Sequence, residues 1–226
     1  GINLTLQQGE ILGLIGESGA GKSTIGLASM GFARAGCRIV SASIMFDGTE
    51  MFGLSKAARQ KMMGSRIAYV AQSAAASFNP AHRLITQFSE GPVQHGLMSR
   101  AEAESEAVDL YTRLDLPDPE SIGFRYPHQV SGGQLQRAMV AMSMACKPAL
   151  IIFDEPTTAL DVTTQIEVLA AIKDVTRQLG TAALYITHDL AVVAQLADRV
   201  MVLRHGNLVE VGPTRALIAN PEKDYT

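Results

Sequence analysis

Gly16-Glu17-Ser18-Gly19-Ala20-Gly21-Lys22-Ser23 constrains this chain most, because it fits G-x-x-x-x-G-K-[ST] in the setting that pattern needs. It follows the apolar run Ile11-Leu12-Gly13-Leu14-Ile15, which reads as a buried strand. It opens a helix from about Gly21. A strand, a glycine-rich turn and a helix N-terminus in that order make a phosphate cradle. Glycines let the backbone close around phosphate oxygens and turn several N–H groups inward. The helix N-terminus adds positive potential. Lys22 supplies a mobile cation for the β- and γ-phosphates, and Ser23 offers a hydroxyl to Mg2+. Thr24 joins them as a nucleotide-binding residue.

Leu150-Ile151-Ile152-Phe153-Asp154-Glu155 is an apolar strand ending in two carboxylates. Parallel sheets present ligands at the carboxyl ends of their strands. Neighbouring residues of a strand point opposite ways, so the two acids need not share a role. Asp154 reaches the metal shell, and Glu155 faces the γ-phosphate and polarises the attacking water. A nucleotide sensor needs no such second acid, so its presence favours hydrolysis.

Along the chain, strand-like runs alternate with amphipathic segments, the pattern of an α/β fold with a mainly parallel sheet. Ile39 to Phe46 reads as a strand run closed by the turn signal Asp47-Gly48, and Ile67 to Val70 as a short strand. From Ser73 to about Lys147 the pattern becomes helical and more polar. Ser99 and Glu102 form a capping box before the helix Ala103 to Leu114, which Pro117 and Pro119 break. Gly132 to Ala145 forms another helix, with Met139, Met142 and Ala145 as core filler. Leu150 to Phe153 and Ala183 to Ile186 are strands flanking the helix Thr163 to Leu179. Val200 to Leu203 and Leu208 to Val211 form a hairpin around His205-Gly206-Asn207, and Thr214 caps a last short helix. This divides a single domain into a core of 1–72 and 148–226 and a helical insertion of 73–147.

Composition narrows the function classes. A net charge of -3 and a pI near 6.0 supply no basic field for nucleic acid. No apolar run reaches the roughly 20 residues that cross a bilayer, and Gly1-Ile2-Asn3-Leu4 has no basic n-region or signal-peptide core. We expect a cytosolic chain whose membrane role comes through a partner. Cys37 and Cys146 lie far apart and read as free thiols. We expect the chain to be an excerpt of a longer protein.

Ser131-Gly132-Gly133-Gln134 at a helix start makes a second anion site. One phosphate loop already serves one nucleotide, so the second site suggests service to another copy's ATP. This sequence resembles the signature of ATP-binding-cassette proteins, with Val130 where Leu is usual. The resemblance spans essentially the whole chain. It is closest to the ATPase subunits of dipeptide, oligopeptide and nickel importers, as Tyr126 to Gln134, Asp154 to Thr163 and Ser77-Phe78-Asn79-Pro80 indicate.

The resemblance implies a P-loop NTPase core of RecA-like type with an inserted helical subdomain and a partial antiparallel β subdomain. It also implies a head-to-tail dimer of two cassettes with ATP between the loop of one and the signature of the other. Gln72 matches the lid glutamine that contacts Mg2+ and water. Ala159-Leu160-Asp161 matches the loop crossing the dimer interface, and His188 the switch histidine on the γ-phosphate. His82, His95, His128 and His205 are left as structural or surface residues. The implied partners are a second cassette, transmembrane permease subunits and, indirectly, a substrate-binding protein. The implied place is peripheral, on the cytoplasmic face of the inner membrane.

Three features depart from the subgroup. Gly1 to Glu10 holds no aromatic residue to stack on adenine, the residues up to Thr226 include no cysteine-bearing C-terminal extension, and Ser73 to Ser77 is rich in alanine. A soluble cassette ATPase of DNA repair would carry long coiled-coil arms, and Thr24 to Val130 has no sustained heptads. A ribosome-acting cassette protein would need two cassettes and basic linkers.

Overall fold

Ile11–Ile15 forms β1 and is buried at all five positions. A parallel strand covered on both faces needs such an unbroken apolar run. The computed structural model, which describes residues 1–157 and 160–226, sets β1 inside its main sheet. In chain order the remaining elements are α1 (Lys22–Ser29), β2 (Met45–Phe46), β3 (Thr49–Glu50), α2 (Lys56–Met62), β4 (Ile67–Val70) and α3 (Ala74–Ser77). Then come α4 (Leu84–Gln94), α5 (Arg100–Arg113), α6 (Pro119–Ile122), a 3-10 turn at Pro127–Gln129, α7 (Gly132–Met144) and β5 (Leu150–Asp154). The chain closes with α8 (Val162–Leu179), β6 (Ala182–Thr187), α9 (Leu190–Leu196), β7 (Arg199–Arg204), β8 (Asn207–Pro213) and α10 (Thr214–Ala219).

Among the described residues, the main sheet runs β4-β5-β6-β1-β7-β8. Its first five strands are parallel, and β8 joins antiparallel through the hairpin after Arg204. Side chains alternate between its faces. Ile151 and Phe153 of β5 pack with Leu135 and Ala138 of α7 and with Leu169 and Ile172 of α8. Ile152 faces the other way, with Leu14, Leu184 and Ile186, where Ile25 and Leu27 of α1 cover the sheet. A Cβ on Gly26 would lie 2.8 Å from Ile186 Cδ1 and 3.2 Å from Ile152 Cγ2. Glycine therefore lets α1 lie close to β5 and β6, and this spacing sets how near Lys22 and Ser23 stand to the strand ends.

Between β4 and β5 the chain is helical. The Ser99–Glu102 capping box is present at the start of α5, with bonds of 3.3 and 2.7 Å. Ala103, Ala107, Leu110 and Leu114 recur at helical spacing and are buried. Met139 and Ala145 are core residues, and Met142 packs against that core. Cys37 and Cys146 are free.

Three expectations are corrected. Of Ile39 to Phe46 only Met45–Phe46 is a strand, paired with Thr49–Glu50 across Asp47-Gly48, both at positive φ. The Glu50 carboxylate accepts from Ile44 N–H at 2.9 Å and from the Ser43 hydroxyl at 3.0 Å, standing where a strand partner would. The helix before Pro117 ends at Arg113, because Asp115 turns to φ 53 ahead of either proline, and Pro119 instead opens α6. Thr214 does not cap α10: Pro213 holds that position, and the Thr214 hydroxyl donates to Ala197 O at 2.7 Å.

Candidate nucleotide site

The loop after β1 takes the conformation its glycines allow. Gly16, Gly19 and Gly21 have φ of 154°, 81° and 98°. At Gly16 a Cβ would lie 2.3 Å from the Leu203 carbonyl oxygen, so no other residue fits. Glu17, Ser18 and Gly19 are exposed, while Ala20 is buried and its carbonyl accepts from Gly206 N–H at 3.0 Å. Gly21 caps α1 without a side-chain bond. Among the described residues, the first amides of α1 thus have no side-chain cap, and a helix N-terminus of that kind suits an anion.

Lys22 is buried, not a mobile cation as expected from sequence. Its ammonium donates to Gly16 O at 2.7 Å and to Glu17 O at 3.0 Å. It also lies 3.9 Å from Glu155 Oε1. The loop carbonyls fix the charge, leaving one ammonium N–H for a further acceptor.

Asp154 ends β5 on the α1 face, two residues beyond Ile152. Its Oδ1 accepts from the Ser23 hydroxyl at 2.9 Å, and its Oδ2 from the Tyr69 hydroxyl at 2.6 Å. Glu155 lies past the strand with φ 50, so strand alternation does not set its direction. Its N–H donates to Ile186 O at 2.9 Å, which holds this left-handed turn. Glu155 Oε1 is 3.3 Å from His188 Nδ1, and Oε2 accepts from Gln72 Nε2 at 3.4 Å. Lys22, Gln72 and His188 therefore converge on one carboxylate. They arrive from α1, the end of β4 and the end of β6.

Ser23 and Asp154 present hard oxygen donors side by side, with the Gln72 amide nearby. That set suits Mg2+, which takes one or two carboxylates and completes its shell with water and phosphate oxygens.

Ser131 and Gln134 cap α7 reciprocally, at 3.2 and 3.0 Å, and Ser131 and Gly132 are exposed. Asp161 caps α8, accepting from Thr164 N–H at 3.1 Å and from the Thr164 hydroxyl at 2.7 Å. Those two bonds hold its carboxyl below its ordinary pKa, the hydroxyl's most of all. Among the described residues, no hydrogen bond or ion pair joins Ser131 to Gln134 or Asp161 to the Gly16–Ser23 loop. Thr158 and Ala159, part of the expected interface loop, lie outside the described residues. His95, His128 and His205 sit elsewhere: at the end of α4, stacked on Tyr126, and in the β7–β8 turn.

Sequence reading missed Tyr69, taking it only as part of a strand. Tyr69 pairs in register with Ile152 and so shares the face of Asp154, a relation that only the strand pairing reveals.

The ABC transporter family model matches residues 1–158. A probable peptide ABC transporter ATP-binding protein of Sinorhizobium fredii is 41% identical over 100% of this chain and 68% of its own length. The metal-staphylopine import system ATP-binding protein of Staphylococcus aureus is 43% identical over 100% of this chain and 83% of its own. Among solved structures, a dimeric bacterial ABC transporter cassette superposes with a TM-score of 0.80 at 25% identity, covering 95% of this chain and 89% of that one. Among the described residues, no helix is long and apolar enough to cross a membrane.

Proposed function

Because this chain belongs to the ABC transporter family and is an ATP hydrolase, we propose that it powers an importer. The cargo class is peptides, nickel or a similar small solute, carried by transmembrane permease partners. The carrying observation is the convergence of Lys22, Gln72 and His188 on Glu155, beside the Ser23–Asp154 pair. The names of the two relatives, a peptide transporter protein and a metal-staphylopine importer protein, support that cargo class.

The amides of Gly16 to Ser23, with Thr24 beside them, bind ATP phosphates. Lys22, pinned by two loop carbonyls, gives its remaining N–H and its charge to the β- and γ-phosphates. Ser23, Asp154 and Gln72 would hold a magnesium ion, which when bound offsets phosphate charge and helps align the γ-phosphate. Glu155 takes the proton of the attacking water, and Gln72 orients that water. His188 donates to the γ-phosphate. Hydrolysis and phosphate loss remove the charge that holds the two cassettes together, so they open.

The exposed Ser131 and Gly132, the half-buried Gly133 and Gln134, and Asp161 act on the nucleotide of a second ABC ATPase domain. The division into a core of 1–72 and 148–226 and a helical subdomain of 73–147 suits this arrangement, the helical part passing motion to the permease. A substrate-binding protein acts indirectly, and the domain works peripherally on the cytoplasmic face of the inner membrane.

Light scattering on Glu155→Gln with and without Mg-ATP tests the reading. An ATP-dependent dimer is expected. A species that binds ATP and stays monomeric at every ATP concentration counts against the two-cassette site.

A further inference from the structure

Tyr69 stands on β4, at the end of the sheet order, and is 37% exposed. Its register opposite Ile152 aims it along the face that carries Asp154. Its hydroxyl donates to Asp154 Oδ2 at 2.6 Å, while Oδ1 takes the Ser23 hydroxyl at 2.9 Å. Both oxygens of one carboxylate are thus oriented, one by the nucleotide loop and one by the neighbouring strand.

We propose that Tyr69 is a positioning residue for the magnesium ion: by holding Asp154 Oδ2, it fixes the rotamer in which Oδ1 is directed beside Ser23. The proposal rests on the reading of Ser23 and Asp154 given above and adds the group that orients them. A ligand carboxylate with a fixed partner loses less rotamer freedom on binding its ion. Two hydrogen bonds to one buried carboxylate leave it a single direction, whereas Ser23 alone leaves rotation about the second torsion.

The test is Tyr69→Phe, which keeps the ring and removes only the hydroxyl. Binding of a fluorescent ATP analogue is titrated with Mg2+ in the wild type and the variant, alongside thermal melting without nucleotide. The Mg2+ concentration for half-maximal enhancement should rise roughly tenfold or more. Analogue binding without Mg2+ should not change, because the loop amides and Lys22 are untouched. An unchanged Mg2+ midpoint overturns the proposal. So does loss of the cooperative melt, since the hydroxyl would then serve the fold and not the ion. If the wild type itself shows no Mg2+-dependent binding, the reading of Ser23 and Asp154 fails first, and the proposal goes with it. Tyr69→His, which keeps a ring donor, should recover part of the midpoint, and no recovery in a folded variant also counts against the role.

Discussion

Gly133 and Thr164 touch so closely that a Cβ on Gly133 would lie 2.5 Å from Thr164 Cγ2. This contact ties the first turn of α7 to that of α8. Thr164 cannot swing aside, because its hydroxyl donates to Asp161 Oδ2 at 2.7 Å. The first turn of α7, which carries the signature, thus packs directly on the first turn of α8.

Gly133→Ala should therefore destabilise the fold. Overpacking costs about 1–3 kcal/mol, against a helix-propensity gain of at most about 1 kcal/mol. Thr164→Ser removes the methyl and keeps the hydroxyl, so the double variant should regain most of the loss. Denaturant unfolding of the four proteins measures the coupling. Additive effects would show that the two residues do not press on each other.

Lys22→Met should weaken ATP binding roughly tenfold or more, because charge-assisted hydrogen bonds to phosphate are lost. Lys22→Arg should fail to restore it. The ammonium is almost wholly buried against Gly16 O and Glu17 O, and a planar guanidinium needs a wider slot. Titration with a fluorescent ATP analogue decides between loss and rescue, and near-normal affinity in Lys22→Arg would contradict the fixed geometry.

The α8 cap should respond to acid. The Thr164 bonds lower the Asp161 pKa, so its stabilisation is complete above the ordinary aspartate value. It is lost as pH falls through the lower folded value. The gap in melting temperature between wild type and Asp161→Ala should be constant from neutral pH down to that range, then shrink. A gap that widens on acidification would reverse the sign.

Local pattern made the nucleotide loop and the sheet legible. Gly16, Gly21 and Lys22 stand at fixed offsets, and unbroken runs such as Ile11–Ile15 and Leu150–Phe153 leave few alternatives to buried strands. The capping box of α5 was readable because both partners lie within one turn. What escaped depended on tertiary pairing. Tyr69 meets Asp154 across 85 residues. Ile39 to Ile44 looks like a strand until the Glu50 side chain claims Ile44 N–H. The docking of Lys22 onto its own loop follows from backbone carbonyls, which a residue pattern does not display. The left-handed turn at Glu155 redirects the second carboxylate in a way that strand alternation could not announce.

The central claim is that Glu155 takes the proton of the attacking water. Rapid-quench hydrolysis of bound Mg-ATP, wild type against Glu155→Gln, tests it most directly. Loss of a general base should slow the chemical step about 10^2- to 10^4-fold, with ATP affinity little changed. Phosphate formation by Glu155→Gln at a rate near wild type would contradict the claim.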